Sequence, residues 1–338
     1  MTSKTSLHNA QLSLPIINIT PYFLQPSPEV EIQRATVSAA VHAACRDFGF
    51  FYLDISAISD PREPEELTEL ARRFFHSSQE DKDKLALSNQ DYARGYARLK
   101  ENVTNGKADN HEGIDFYRPV DNPDKTKPLW GENQWPTVPL FRERYETWVE
   151  KMKMLGLIVM EAMAVGLGMT PDEWQELRTE VDDSFWVMRA IGLEFLYADP
   201  TLGALQVFLR RSEVGPDLSG LPIEQGDEEG VWINADPKLG CVVCNIGERE
   251  IWSNGLYNST LHRVVHRGIN YRIPFFFEPN FDALIKPLEA ALRIQQQETT
   301  TLPGNARKVK EYKPTVYGEF LLTKVSNNFA NGKGKYDD

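Results

Sequence analysis

The chain has 338 residues, 41% hydrophobic and 25% charged, and its 49 acidic against 37 basic residues give a formal net charge of −12. This is the composition of a water-soluble globular chain with a large core, in one domain or two. The charge argues against nucleic acid and anionic membrane surfaces as partners; with no bilayer-length apolar stretch and no basic-then-apolar signal pattern, a cytoplasmic protein is expected.

Residues 1 to about 12 are polar and expected to be disordered. Leu14 to Ile19 reads as a short strand. Ser27-Pro28-Glu29 starts a helix, with a cap, a first-turn proline and an acid for the dipole; it runs through Ile32, Val37, Ala40, Val41 and Ala44 and stops at Gly49. Phe50 to Ile55 is a strand, and Pro64 to Phe75 a second helix, apolar at Leu67, Leu70, Ala71 and Phe74. Arg94-Gly95-Tyr96 and His111 to Tyr117 fall in loop or strand territory, and Pro119 to Pro139 reads as a long surface connection. Tyr145 to Met169 is the longest helix, with Tyr145, Trp148, Met152, Leu155 and Val159 as a core stripe. Thr170-Pro171-Asp172-Glu173 caps the next.

From Phe185 the pattern turns to strands: Phe185 to Ile191, Leu193 to Tyr197, Ala204 to Leu209, Val231 to Asn234, Cys241 to Ile246, Thr260 to His266 and Tyr271 to Phe277. Many strands at short spacing predict a barrel or jelly roll. Ser212 to Gly230 is an acidic loop; a helix through Leu288, Ala291 and Ile294, a short helix near Tyr317 to Val325 and a polar tail close the chain. The three cysteines, Cys45, Cys241 and Cys244, make no disulfide framework. Cys241 and Cys244 lie three apart on a predicted strand and so face opposite ways, which favours buried free thiols over a metal or redox pair.

His262 and Arg272 stand ten apart on two predicted strands, with Gly268 and Asn270 between. A neutral imidazole is a good ligand for ferrous iron. A guanidinium offers a planar fork that grips a carboxylate with two parallel hydrogen bonds. Together in one barrel they could hold an iron and the far carboxylate of a small dicarboxylic acid; the plainer alternative is a strand histidine and a surface arginine. His266, four residues on, would share a strand face with His262 at roughly 13 Å, too far for one metal. On a helix the pair could chelate, and that alternative stays open.

The runs Asn245-Ile-Gly-Glu, Trp252-Ser-Asn-Gly-Leu-Tyr-Asn-Ser-Thr-Leu-His262-Arg-Val and Arg272-Ile-Pro-Phe-Phe-Phe-Glu-Pro-Asn280 resemble the C-terminal half of the iron(II)- and 2-oxoglutarate-dependent dioxygenases, in their isopenicillin N synthase-like branch. Cys45-Arg-Asp-Phe-Gly-Phe-Phe-Tyr resembles their N-terminal region, so the likeness spans most of the chain. It implies an α+β fold: a double-stranded β-helix, or jelly-roll barrel, with flanking N-terminal helices. It divides the chain into a dioxygenase N-terminal region (13–130), a helical connection (131–182), the barrel (183–288) and C-terminal helices and tail (289–338). By the same resemblance His262 is an iron ligand and Arg272 binds the 2-oxoglutarate carboxylate. The substrates are O2 and a small organic molecule, and His111-Glu112 belongs to scaffold near the substrate mouth. The family usually has Arg-x-Ser where this chain has Arg272-Ile-Pro274, and proline brings no hydroxyl.

One part of the pattern is missing. Iron in this family is held by two histidines and one carboxylate, the first pair written His-x-Asp or His-x-Glu. The histidines here are His8, His42, His76, His111, His262 and His266, and none stands between Trp186 and Val231, where the resemblance demands one. Phe185 to Gly192 resembles the strand leading to that motif and Leu193 to Val207 the strand after it. They abut, as a skipped exon or an overcalled intron would leave them. Counting back from Leu193 puts Val187 and Arg189 at the ligand positions, and neither ligates iron; Glu194 and Asp199 are nearby carboxylates. The expectation is thus an oxidoreductase of this family whose chain is short of iron ligands, with no catalytic acid or base assigned. The alternative is a non-catalytic barrel binding a small acid or a partner.

Overall fold

A computed structural model describes residues 13–101, 103–104, 107–108, 111–192, 202–210, 230–247, 251–265, 271–301 and 312–328. The expected strand Leu193 to Tyr197, the acidic loop 212–229, His266 and the two chain ends lie outside the described residues.

The helices form where their caps and apolar stripes place them. In α1 (Pro28–Asp47) the Ser27 hydroxyl accepts from the Val30 N–H, Glu29 and Glu31 face the N-terminal dipole, and Val37, Val41, Ala44 and Cys45 are buried. Gly49 then turns at φ +64°, with a Cβ position 2.2 Å from the Asn258 carbonyl oxygen, so only glycine fits. The acid-led α2 (Glu63–Phe75) is followed by the short α3 (Gln79–Asp83). The longest helix, α4 (Phe141–Gly166), starts one turn earlier than expected because Phe141 is itself buried, stacked on Tyr145. A complete capping box on Thr170 and Glu173 opens α5 (Pro171–Thr179), and α6 (Glu289–Thr301) and α7 (Tyr317–Asn328) close the chain.

Among the described residues the strands form three larger sheets and two small ribbons. One sheet orders β1 (Ile16–Asn18), β2 (Phe50–Asp54) and β10 (Cys241–Asn245); a second orders β11 (His262–Val264), β8 (Leu205–Arg210) and β9 (Gly230–Asn234). These two pack on each other through Phe50 and Tyr52 from one and Val207, Leu209, Val231 and Ile233 from the other. The third sheet orders β12 (Phe275–Phe276), β7 (Val187–Gly192), β6 (Glu112–Tyr117) and β3 (Gly95–Ala97). The ribbons are β4 (Val103–Thr104) with β5 (Lys107–Ala108), and β13 (Leu284–Ile285) with β14 (Thr315–Val316). Among the described residues β12 and β10 each pair on one side only.

Two expectations are corrected. The continuous strand Tyr271 to Phe277 is broken: Arg272 makes an isolated bridge to Ile191 and pairing resumes at Phe275, because Pro274 has no N–H for the ladder. Cys45 is buried, whereas Cys241 and Cys244 are half-buried on an edge strand.

Gly156 of α4 receives the Phe277 ring: a Cβ there would lie 2.2 Å from the ring's Cγ. Gly156→Ala is expected to cost about 1–3 kcal/mol through overpacking. The check is a lowered urea midpoint at unchanged slope; an unmoved midpoint would mean that the ring yields freely.

Candidate active site

The site is built on β7. Met188 and Ala190 are fully buried, and Gly192 packs against the Phe75 ring of α2, 2.9 Å from where a Cβ would stand. That side faces the helices, as does Phe116 of β6 through its contacts with Phe141 and Tyr145. Val187, Arg189 and Ile191 are half-buried on the opposite face. Partners across an antiparallel pair point to the same side of the sheet. The register sets Asp115 of β6 opposite Arg189, and Arg272 opposite Ile191 on the other flank. Asp115, Arg189 and Arg272 therefore share the face turned away from the helices. Pro274, two residues from Arg272, shares it too, and its carbonyl accepts from the Arg189 N–H at 3.0 Å.

The Arg189 guanidinium holds Asp115 in a fork, Nε to Oδ1 at 2.5 Å and Nη2 to Oδ2 at 2.6 Å. The Asp115 side chain is 2% exposed and that of Arg189 24%, so the carboxylate is the more deeply buried of the two. Arg272 is half-buried, burial lowers its pKa from the ordinary guanidinium value, and its side chain has no partner among the described residues. A charge taken from water without a partner is costly, and a carboxylate ligand would relieve that cost. Beside it, Tyr271 stacks on Phe75 and its hydroxyl lies 3.3 Å from His76 Nε2.

His262 lies on β11, opposite Val207, on an exposed strand. Its Nδ1 is 3.1 Å from the Thr260 carbonyl, and its ring meets Phe50 edge-on at 5.1 Å. Since a carbonyl only accepts, Nδ1 donates, which leaves the Nε2 lone pair for a ligand role. Yet no group of three or more His, Cys, Asp or Glu among the described residues could hold a metal ion. The described donors therefore do not fit a two-histidine, one-carboxylate iron site. Val187 and Arg189, the positions reached by counting back from Leu193, do share a face of β7, but offer an isopropyl group and a cation.

The His111-Glu112 segment is scaffold. Glu112 takes the Lys82 ammonium at 2.8 Å and the Tyr96 hydroxyl, all buried, and burial and that carboxylate push the Tyr96 pKa up. Sequence reasoning noted Arg189 only as a non-ligand and passed over Asp115. The available signal was a second acid, Asp115, in the middle of the strand Glu112–Tyr117, whose six residues are all buried; a buried acid needs a partner.

Two families match the chain: residues 14–138 fit that described as non-haem dioxygenase in morphine synthesis N-terminal, and residues 204–279 the 2OG-Fe(II) oxygenase superfamily. Among curated proteins, a homoarginine-6-hydroxylase of Oryza sativa subsp. japonica is 35% identical over 94% of this chain and 98% of its own. One from Arabidopsis thaliana is 36% identical with the same coverage. The rice alignment runs over 335 positions while taking in 94% of a 338-residue chain, so it sets relative residues against none here. Among solved structures, a putative 2OG-Fe(II) oxygenase family protein from Caulobacter crescentus superposes with a TM-score of 0.66 at 21% identity, covering 93% of this chain and 98% of that one. A full-length Neurospora crassa protein in complex with alpha-KG gives 0.67 at 20%, covering 96% and 99%. Both carry the jelly-roll fold.

Proposed function

Because the chain belongs to the 2OG-Fe(II) oxygenase superfamily, whose members use iron(II) and 2-oxoglutarate, we propose that its barrel face takes 2-oxoglutarate on Arg272 and, in a form with a full ligand set, iron on His262. The organic substrate on this reading is a small guanidino amino acid, as the names of the homoarginine-6-hydroxylases suggest. The observation that carries the reading is Arg272 itself, a half-buried cation without a side-chain partner among the described residues. Its fork matches the far carboxylate of 2-oxoglutarate. Pro274 removes the hydroxyl that would second it, so the grip rests on the guanidinium alone.

A purely non-catalytic barrel is the weaker reading, since relatives that carry an activity in their names include hydroxylases, dioxygenases, an oxidase and a probable oxidoreductase. No helix among the described residues is long and apolar enough to cross a membrane.

The test is calorimetric titration with 2-oxoglutarate. Arg272→Leu should weaken binding by roughly 10- to 100-fold, the worth of a charge-assisted bidentate contact, with the melting profile retained. Equal affinity in the variant would refute the assignment. Sequencing the transcript across the codons for Gly192 and Leu193 tests the rest: an in-frame insert encoding His-x-Asp supports the full oxygenase, and a straight read-through removes it.

A further inference from the structure

We propose that Thr260 is a positioning residue for His262: its hydroxyl, anchored on the end of α1, fixes the carbonyl that holds the His262 ring with its proton on Nδ1 and its lone pair on Nε2. The inference rests on the reading above, in which His262 is the ligand-type side chain.

The last carbonyls of a helix have no partner within it and must find donors elsewhere. At the end of α1 the Ala44 carbonyl takes the N–H groups of Phe48 and Gly49, at 3.0 and 2.9 Å. The carbonyls that follow are satisfied by a segment far along the chain. The Asn258 N–H donates to the Cys45 carbonyl at 3.0 Å, Asn258 Nδ2 to the Arg46 carbonyl at 2.6 Å, and the Thr260 hydroxyl to the Phe48 carbonyl at 2.6 Å. Gly49 permits the approach, because a Cβ there would run into the Asn258 carbonyl oxygen and the Thr260 hydroxyl. Thr260 is buried, so breaking its bond to Phe48 would leave a carbonyl without its donor in a dry place.

His262 stands two residues beyond. Its Nδ1 lies 3.1 Å from the Thr260 carbonyl, so one residue is held by its hydroxyl and holds the imidazole by its carbonyl. Phe50, which follows Gly49 directly, meets the same ring edge-on at 5.1 Å. These two contacts lead back to one turn, Phe48-Gly49-Phe50. Neutral histidine in water carries its proton mainly on Nε2, which would point the lone pair at the backbone. The bond that one ring nitrogen makes decides the tautomer. Holding the Nδ1–H form turns the lone pair to the far end of the ring, where a ligand role needs it. Valine in place of Thr260 keeps the shape and loses the hydroxyl, whereas serine keeps the hydroxyl.

The experiment is nitrogen-15 NMR on the full chain labelled at its histidines, without metal, at a pH about two units above the ordinary imidazole value so that the ring is neutral. Correlating the ring nitrogens with the ring carbon protons separates an N–H from a lone-pair nitrogen, and His262→Gln identifies the signals. His262 should be the Nδ1–H form. Thr260→Val should lower the ratio of Nδ1–H to Nε2–H by roughly 2- to 10-fold, the worth of about one hydrogen bond. Thr260→Ser should keep it within about twofold of the wild type. Ser259→Ala, whose exposed side chain lies between the two anchors, should leave it unchanged. Should Thr260→Val unfold, Asn258→Ala removes the other side-chain anchor and should shift the ratio the same way. A merely structural role would lower the melting temperature of Thr260→Val and leave the His262 ratio as it is, which overturns the proposal. So does a wild-type ring protonated on Nε2, or a serine variant that behaves like valine. The two readings fail separately. An Nδ1–H ring whose removal from a longer, active form spares turnover refutes the ligand role and leaves this inference standing; an Nε2–H ring whose removal abolishes turnover does the reverse.

Discussion

Replacing Arg94 by methionine should destabilise the chain by about 3–5 kcal/mol, the cost of leaving a buried charge without its partner. Arg94 and Asp91 are both fully buried. Arg94 Nη1 donates to Asp91 Oδ2 at 2.5 Å, its Nη2 donates to the Arg118 carbonyl at 3.1 Å, and the guanidinium lies 5.0 Å from the centre of the Tyr117 ring. Asp91 in turn accepts the backbone N–H groups of Ala93, Arg94 and Gly131. The pair thus ties the loop before β3 to the chain entering and leaving the long connection after β6. The methionine would fill much of the volume and leave Asp91 charged in a dry site. One N–H of Arg94, Nε, has no hydrogen-bond partner even in the intact protein, so the pair is not ideally satisfied. Arg94→Met combined with Asp91→Leu should therefore recover part of the loss, as apolar replacements of buried pairs do. Urea denaturation of both single variants and the double variant measures this; a loss below about 1 kcal/mol in Arg94→Met would mean that water reaches Asp91.

How much of this could be read from the chain depends on how local the cause is. Helix starts are local: Ser27-Pro28-Glu29 and Thr170-Pro171-Asp172-Glu173 form caps where the residues require them. Strand existence is nearly as local, since alternation and β-branching mark it, and the burial of Val187–Gly192 follows period two. Strand partners are not. Nothing near Arg189 in sequence announces Asp115, 74 positions away; the pair exists because the register sets them opposite each other. The same holds for Arg272, which a bridge sets opposite Ile191. The break at Pro274 is legible once the missing N–H is given its full weight, whereas the apolar run around it predicts a continuous strand. His262 and Arg272 stand out because their side chains fit a known chemistry, and the lack of a histidine between Trp186 and Val231 stands out because histidines can be counted without a structure.

Given iron(II), 2-oxoglutarate and a guanidino amino acid, the chain as it reads should release no succinate above the blank, whereas a form carrying a His-x-Asp segment between Gly192 and Leu193 should turn over. Losing groups that merely orient metal ligands costs metalloenzymes about 10–100-fold. Losing two of three ligands must exceed that, so the expected contrast is at least about 10²-fold. On our reading the insert follows β7, which ends at Gly192 with Val187, Arg189 and Ile191 on the face turned away from the helices, while β8 starts at Leu205 and pairs with the strand that carries His262. The discriminating control is His262→Ala in the longer form, which should abolish turnover, while His266→Ala should spare it if the two histidines share a strand face at roughly 13 Å. Iron-dependent succinate from the shorter chain would overturn this account and turn the search for ligands to Glu194 and Asp199, the carboxylates next in sequence after β7.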